Sequence, residues 1–298
     1  MSGKNAPAPT TPGFTGRLGD ARSGGFYPVP QRYGLHLALS CPSGLRIAIA
    51  HALLRLEGRV ALHLLPPVPG EGGDHPELRA WYQASRHGHP GPYTAPLLTD
   101  AWTGRIVSDR PGDIVTDLAT HYGGARELLP VDASQRSRAQ ELSDLFDRDI
   151  GEAAGEAGEA RSGAAEALER LLAALGSLEA LLERRPYVLG ERLTTVDVHL
   201  WTTLVRLDHV DRWHLDARAT HRIAAHPQLW AYARRLLALP EFGQQLRTSD
   251  ILSRHHVHCR GLEAAGAAVR IIDWQRPAPL PESCTEQRSN VAAGCRRL

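Results

Sequence analysis

The sequence lacks most features that mark membrane proteins and nucleic-acid-binding proteins. It has no run of about 18 apolar residues, so we expect no membrane-spanning helix. Lys4 is the only lysine, and the 34 basic and 33 acidic side chains leave a formal charge of only +1. Nucleic acids and anionic membranes favour a basic surface, so we expect neither as a partner. The preference for arginine, alanine and glycine is typical of a GC-rich bacterial genome.

Cysteine is also scarce, with four residues in a chain of 298. The four cysteines show no paired Cys-x-x-Cys spacing, which argues against a disulfide scaffold. The segment up to Gly25 has no apolar stretch of the kind found in signal peptides. We therefore expect a mostly reduced protein in the cytoplasm.

The length and the hydrophobic content of 42% suit a globular protein with two domains. Stretches rich in Pro, Gly, Ser and Arg at the two ends predict flexible segments. The predicted organisation is a flexible extension at 1–30, an α/β domain at 31–125, an all-helical domain at 126–273 and a flexible tail at 274–298.

The first half shows a mixed pattern of strands and helices. Alternating leucines predict a strand at 35–39, and leucines at helical spacing follow Pro42. Further patterns predict strands at 60–65, 93–99 and 105–108, a short helix at 77–84 and a helix around 114–118. The resulting order, β-α-β-α-β-β-α, is that of the thioredoxin fold.

The second half has helical signals only, from Gln135 to Leu252. Leucines recur every three or four residues from Leu168 to Leu182, which predicts a long amphipathic helix. The stretch 151–163 is rich in glycine, and we expect a loop or a frayed end there. Thr194 and Asp197 have the spacing of a capping box at a helix start.

Cys41 lies where the first predicted strand passes into the first helix. Pro42 suits the first helical turn, where its missing N–H is not needed. A thiol at this point lies near the positive end of the helix dipole and near free N–H groups, which stabilise a thiolate. Arg46 adds a positive charge one turn later. We predict a reactive nucleophile; the alternative is a small buried side chain, as free cysteine often is.

Several segments resemble the Xi class of glutathione transferases, the glutathionyl-hydroquinone reductases. In the second half these are YVLGERLTTVDVHLWTTLVRLD at 187–208 and HPQLWAYARRL at 226–236. In the first half, Cys41-Pro42-x-x-x-Arg46 is similar to the family's Cys-Pro-Trp-Ala-His-Arg, and YTAPLLTD at 93–100 is similar to its TVPVLWD. The resemblance implies the glutathione-transferase fold, which is an α/β thioredoxin-like domain followed by an all-α domain.

The resemblance also implies a chemistry. The family's cysteine attacks the sulfur of a glutathionyl-hydroquinone, hydroquinone leaves, and a second glutathione regenerates the thiol. That role carries onto Cys41, and Pro96 would be the cis-proline beside the thiol. A homodimer is expected by the same resemblance. The positions expected to bind the thiol cofactor are Ser43, Arg46, Ala95, Pro96, Asp109 and Arg110.

The site departs from the family pattern at several positions. Ser43 stands where the family has a tryptophan that contacts glutathione, and Arg110-Pro111 stands where it has a Glu-Ser pair. Pro111 offers neither a hydroxyl nor an N–H, and Arg110 reverses the charge offered to the γ-glutamyl ammonium. Asp211 and the run His255-His256-Val257 align with the family's site tyrosines.

These departures leave three interpretations open. The protein could use another low-molecular-weight thiol, such as mycothiol, with Arg110 contacting an acidic or polyhydroxylated head group. It could instead act on another substrate, as a thiol-dependent reductase, transferase or isomerase. The third possibility is a binding protein that has lost catalysis. Our leading hypothesis is an enzyme that takes a small-molecule thiol, glutathione or a substitute, and an electrophilic or quinone-like substrate.

The run RHHVHC at 254–259 lies outside the family pattern. His256, His258 and Cys259 are ligand types for zinc, copper or haem iron, which would suit a metal- or haem-assisted enzyme. On a strand, His256 and His258 would share a face, whereas on a helix His255 and Cys259 would do so. A polar segment at the domain end is the alternative, and we expect no metal. His256 is also a candidate catalytic proton donor in place of a lost tyrosine.

Overall fold

The computed structural model describes residues 13–19, 25–123, 127–130, 132–159, 162–259, 268–269 and 271–274. Most of the predicted extension lies outside these ranges. The predicted tail beyond Trp274 also lies outside them, together with Cys284 and Cys295.

A four-stranded mixed sheet forms the centre of the first half. The strands are β1 (Tyr33–Leu37), β2 (Ala61–Leu64), β3 (Leu97–Asp100) and β4 (Arg105–Ser108), and their order is β2-β1-β3-β4. β1 pairs in parallel with β2, whereas the pairs β1–β3 and β3–β4 are antiparallel. The helices are α1 (Pro42–Leu53), α2 (Arg79–Ser85) and α3 (Pro111–His121). The predicted order β-α-β-α-β-β-α is confirmed. β1 begins two residues earlier than predicted, β2 and β3 are shorter, and β4 has the predicted bounds.

Helices cover both faces of this sheet. Successive strand residues point to opposite faces, and Leu98 and Val107 accordingly belong to the main hydrophobic core, as do the buried residues of α1 and α3. Their neighbours Leu97 and Ile106 form a second cluster with Tyr82 of α2. The sheet is therefore buried on both sides, as a thioredoxin-like layer requires.

Part of the predicted flexible extension is packed against the first half. Leu18 is buried, and its N–H donates to Asp117 Oδ2 at 2.8 Å. Arg17 forms an ion pair with the same carboxylate at 2.6 Å. Residues 13–19 thus bury a leucine and satisfy an acidic group of α3, while the predicted bounds of the extension and of the two domains stay predictions.

The named elements of the second half are helices, with an isolated β-bridge between Tyr187 and Gly190. The helices are α4 (Ala133–Leu145), α5 (Ala153–Gly158), α6 (Ala164–Leu182), α7 (Thr195–His209), α8 (Ala217–Ala224), α9 (Pro227–Leu237), α10 (Pro240–Gly243) and α11 (Thr248–His258). A π-helical segment, Phe146–Glu152, follows α4, and a short 3₁₀ turn, Asp211–His214, follows α7. None of the described helices is both long and apolar enough to span a bilayer.

The glycine-rich stretch predicted as a loop is helical up to Gly158. Ala153 and Ala154 are buried in the core, and this burial outweighs the low helix propensity of the neighbouring glycines. Gly158 also has a packing role, because a Cβ there would lie 2.7 Å from the Cβ of His214. The glycines thus allow α5 to approach the 3₁₀ turn closely, which the sequence alone did not indicate.

The long helix and the capping box are confirmed. The predicted amphipathic helix is α6, and Thr194 with Asp197 forms the capping box of α7. α1 packs against α3 of its own half and against α7 of the helical half. The start of α1, which carries Cys41, is thereby held at the boundary between the two halves.

Candidate active site

Cys41 is the N-cap residue of α1, and Pro42 is the first residue of the helix. The thiol is partly exposed, and the Cys41 side chain makes no capping hydrogen bond. The Cys41 N–H donates to the Ala38 carbonyl at 3.1 Å. Gly44 permits this tight turn, because a Cβ at that position would overlap the Ala38 oxygen. The sulfur therefore lies at the N-terminal end of α1, where the helix stabilises negative charge.

Two cavities meet at Cys41, with volumes of about 520 and 320 Å³. Both are lined by Cys41, Pro42, Thr202 and Arg206. The larger cavity runs toward the π-helical segment, and the smaller one runs toward α11. One thiol thus faces two separate spaces, each bounded by α1 on one side and by α7 on the other.

An Asp147–His199 pair lies in the wall of the larger cavity. His199 Nε2 lies 2.9 Å from Asp147 Oδ1. Burial lowers the pKa of His199, so the imidazole is neutral near pH 7 and donates its Nε2 hydrogen to the carboxylate. Burial is the largest single effect and would raise the pKa of Asp147, but the hydrogen bond and electrostatic effect of His199 and the charge of Arg46 together outweigh burial and lower the pKa. No local sequence pattern indicates this pair, because its members are 52 residues apart.

Arg46 supplies a positive charge to the same cavity. Burial lowers the pKa of its guanidinium, and the negative charges of Asp147 and Cys41 partly offset that effect. Its Nε is buried and has no hydrogen-bond partner among the described residues. A buried donor without a partner is costly, so Arg46 is suited to bind an anionic group of a ligand.

The smaller cavity is largely apolar and has cationic groups at its edge. Leu45, Val205 and Ile251 form apolar wall, while Arg206 and Arg254 contribute guanidinium groups. Arg206 also pairs with the buried Asp211 at 3.4 Å. Asp211 stands where the resemblance calls for a tyrosine, and here it orients an arginine at the cavity. This cavity is suited to an apolar or aromatic body that carries a negative group.

The predicted thiol-binding residues fall into two groups. Ser43 and Arg46 line the larger cavity. Ala95, Pro96, Asp109 and Arg110 are described but do not line either cavity. Their roles, like those of Ser43 and Arg46, stay predictions.

The cis-proline is confirmed, since the Ala95–Pro96 peptide bond is cis. Pro96 lies just before β3, and Asp109 follows β4. Arg110 is the exposed N-cap residue of α3, and its N–H donates to Ser108 Oγ at 3.1 Å.

The histidine-rich run forms the end of α11, so the helical arrangement of its side chains applies. His255 is buried and lines the smaller cavity with Cys41. His256 is exposed and lies with its ring centre 5.5 Å from that of Trp213. The imidazole that reaches the cavity is therefore His255, and the catalytic role of His256 stays a prediction. The side chain of His258 lies outside what the structure describes.

Comparisons with known proteins agree with this architecture. A family described as "Glutathione S-transferase, C-terminal domain" matches residues 140–235. The chain is 27% identical over 280 residues to glutathionyl-hydroquinone reductase YqjG of Escherichia coli K12, covering 87% of this chain and 85% of that protein. It is 29% identical over 229 residues to glutathionyl-hydroquinone reductase PcpF of Sphingobium chlorophenolicum, covering 69% and 71%.

Solved structures show the same relationship. The glutathione-bound structure of the E. coli protein aligns with a TM-score of 0.71 at 26% identity, covering 81% of this chain and 87% of that one. A Xi-class glutathione transferase from Natrialba magadii aligns with a TM-score of 0.77 at 22% identity, covering 90% of each chain, which supports the fold.

These matches do not favour a non-catalytic binding protein or a metal- or haem-assisted enzyme, because the relatives are named for thiol chemistry. They span most of the chain and include both halves of the fold. Over most of its length this chain is therefore similar to the Xi class of glutathione transferases, and it is a glutathione-transferase-like, thiol-dependent enzyme of the oxidoreductase and transferase type.

Proposed function

We propose that Cys41 is the nucleophile of a thiol-dependent reduction of S-conjugates, such as the glutathionyl-hydroquinones for which two relatives are named. The observation that carries the proposal is the position of the thiol. Cys41 is partly exposed at the start of α1 and is shared by two cavities. A sulfur at a helix N-terminus is favoured as the thiolate, which is the form that attacks.

The proposed cycle has two steps. The Cys41 thiolate attacks the sulfur of the conjugate, so an S–S bond forms and the C–S bond breaks. The electron pair of the C–S bond stays on the carbon, which takes up a proton, and the hydroquinone leaves. A second thiolate then attacks the thiol-derived sulfur of the mixed disulfide, which releases Cys41 and a small-molecule disulfide. Each turnover thus consumes one conjugate and one free thiol and releases one hydroquinone and one small-molecule disulfide.

The larger cavity is proposed to hold the thiol moiety. Arg46, with its buried Nε unpartnered among the described residues, would bind a carboxylate of the thiol. The Asp147–His199 pair lies in the same wall and would receive a polar group of the same ligand. The smaller, apolar cavity would then hold the hydroquinone-like body.

We further propose that the thiol differs from glutathione, with mycothiol as the leading candidate. Arg110 and Pro111 form the start of α3, where the resemblance calls for a Glu-Ser pair. Neither residue lines the two cavities, so they would act on a part of the thiol that extends beyond the larger cavity. A guanidinium there repels the ammonium of a γ-glutamyl group, and Pro111 has no N–H to offer a carboxylate. Ser43 is also smaller than the tryptophan expected in the larger cavity.

Intact-mass analysis of the full chain tests the nucleophile. After exposure to an S-conjugate, we expect one thiol adduct in the wild type and in Cys259→Ser, and none in Cys41→Ala. Cys259 is the matched control, because it and Cys41 are the two cysteines of the described residues, both partly exposed and neither in a disulfide. Hydroquinone release should fall to the uncatalysed background in Cys41→Ala alone. Full activity in Cys41→Ala would overturn the proposal.

The choice of thiol needs a separate comparison. Glutathione and mycothiol conjugates of the same hydroquinone should be supplied at equal concentrations. We expect a higher kcat/KM for the mycothiol conjugate, and an Arg110→Glu variant should shift the preference toward glutathione. A wild-type preference for glutathione would contradict the altered specificity while leaving the role of Cys41 intact.

A cytoplasmic location and a homodimer complete the proposal. Both are predictions from the sequence and from the resemblance. Light scattering coupled to size-exclusion chromatography measures the mass in solution, and a monomer would contradict the homodimer.

A further inference from the structure

Three potential metal ligands come together beside the smaller cavity. They are His214 in the 3₁₀ turn Asp211–His214, His255 in α11 and Cys259 directly after α11. Each residue offers one ligand atom, and these atoms all lie within 4.8 Å of one another. We propose that this cluster is a Zn²⁺ site, separate from the thiol chemistry of Cys41.

The spacing of the ligand atoms fits one ion. Cys259 Sγ lies 3.7 Å from His214 Nε2. In a tetrahedral site with usual zinc–sulfur and zinc–nitrogen bond lengths, these two atoms are about 3.6 Å apart. The His214 and His255 rings are 5.1 Å apart between centres and inclined at 70°, so the two imidazoles are not stacked. Cys259 Sγ and His214 Nε2 could therefore bind one ion with little movement of the backbone.

The donor set also suits zinc. Two neutral imidazoles and one thiolate are borderline-soft ligands, which bind Zn²⁺ in preference to Mg²⁺ or Ca²⁺. Three protein ligands leave the fourth position to water or to a donor of a bound molecule. His255 and Cys259 are one helical turn apart, so the fold of α11 itself brings them to one face.

The cluster connects α11, which lines the smaller cavity, to the 3₁₀ turn that follows α7. Gly158 lets α5 lie close against His214, while His255 lines the cavity that it shares with Cys41. An ion bound here would tie the end of α11 to the 3₁₀ turn that follows α7. It would thereby fix one wall of the smaller cavity without entering the redox step.

Metal analysis of untagged, full-length protein is the first test. After incubation with Zn²⁺ and removal of loosely bound metal, we expect about one ion per chain. Cys259→Ser and His214→Ala should each lose it, whereas Cys41→Ser and a Cys284→Ser, Cys295→Ser double variant should retain it. Zinc content in Cys259→Ser and His214→Ala equal to that of the wild type would overturn the proposal.

Cobalt substitution identifies the ligands directly. With Co²⁺ alone as the probe, we expect a thiolate-to-metal band in the near ultraviolet that disappears in Cys259→Ser and persists in Cys41→Ser. A band that follows Cys41 instead, or no band at all, would refute the site.

The melting temperature of the wild type tests the site even if the variants fold poorly. Zn²⁺ should raise the melting temperature of the wild type, since a ligand that binds the folded state stabilises it. No rise in the melting temperature and no bound zinc in the wild type would also refute the site. Because these readouts do not depend on turnover, they are independent of the proposed function.

Discussion

Arg32 and Asp100 form a buried, bidentate ion pair at the end of the central sheet. Arg32 Nε donates to Asp100 Oδ1 at 2.9 Å, and Arg32 Nη2 donates to Asp100 Oδ2 at 2.6 Å. Burial opposes the ionisation of Asp100, but the hydrogen bonds and charge of Arg32, together with hydrogen bonds from Trp102 and Thr103, outweigh burial and lower the pKa of the carboxyl. The pair ties the turn before β1 to the last residue of β3. It therefore holds together the two strands at the centre of the sheet.

Removing Arg32 from this pair should lower the free energy of unfolding. Replacing Arg32 with Met leaves a buried carboxylate without its partner, and we expect a loss of about 3–5 kcal/mol in the free energy of unfolding. Urea denaturation measures this loss. Arg138→Met is the matched control, because Arg138 pairs with Glu141 on the exposed face of α4, where such pairs contribute little. Equal losses of unfolding free energy in Arg32→Met and Arg138→Met would show that the buried pair contributes no more to stability than the exposed pair.

Asp197 is expected to be the most sensitive capping residue of the helical half. Its carboxylate accepts hydrogen bonds from Val188 N and Thr194 N, both at 2.8 Å, and from Tyr232 OH at 3.0 Å. Asp197→Ala leaves these buried donors unsatisfied, so we expect a loss of more than about 3 kcal/mol in urea denaturation.

A simpler N-cap provides the comparison for Asp197. Asp216 caps α8 through a single bond from Ala219 N at 2.6 Å. We expect Asp216→Ala to cost about 1 kcal/mol. A loss in Asp197→Ala no larger than this would contradict the anchoring role of Asp197.

Acid should weaken the fold through His36. Burial, with a smaller effect from His63, lowers the pKa of His36 from 6.5 to about 4. Between these two values the unfolded chain takes up a proton that the folded chain does not. The free energy of unfolding should therefore fall as the pH falls from about 6.5 to about 4, by up to about 3 kcal/mol from this group.

Two variants isolate the contribution of His36. Urea denaturation across this pH range should show a shallower decline for His36→Gln than for the wild type. His63→Gln should keep most of the decline, because burial is the main cause of the shift. A decline in His36→Gln as steep as in the wild type would assign the effect to other groups.

Gly44→Ala should destabilise the start of α1 and reduce the reactivity of Cys41. A Cβ at position 44 would overlap the Ala38 carbonyl oxygen, so the turn that carries the thiol must shift. We expect slower alkylation by iodoacetamide and a lower melting temperature. Gly176→Ala is the control, because a Cβ there would have no neighbouring heavy atom within 4 Å. Relative to glycine, alanine stabilises an exposed helix by about 0.5–1 kcal/mol. An unchanged alkylation rate in Gly44→Ala would contradict this view of the turn.

The sequence was informative where a structural feature depends on neighbouring residues. Three features could each be predicted from one short segment: β1 from its alternating leucines, α6 from leucines three or four residues apart, and the capping box at Thr194. All three are present in the structure. Cys41 before Pro42 was identified in the same way, since the geometry of a helix start is local.

Contacts between residues far apart in the chain could not be predicted from the sequence. Nothing in a single chain indicates that Asp147 meets His199, or that His214 meets Cys259 across 45 residues. The stretch 151–163 was misjudged for the same reason, since the helical conformation of α5 depends on burial against other elements. The choice between His255 and His256 also required the structure, because only the packing of α11 decides which imidazole faces Cys41.

The two cavities at Cys41 have a kinetic consequence in the proposed cycle. In the mixed disulfide, the thiol moiety bonded to Cys41 still fills the larger cavity, so the second thiol must reach the disulfide through the smaller cavity that the hydroquinone has left. Product and co-substrate then compete for one space. In such an enzyme, added hydroquinone slows the regeneration of the thiol as well as the first half-reaction.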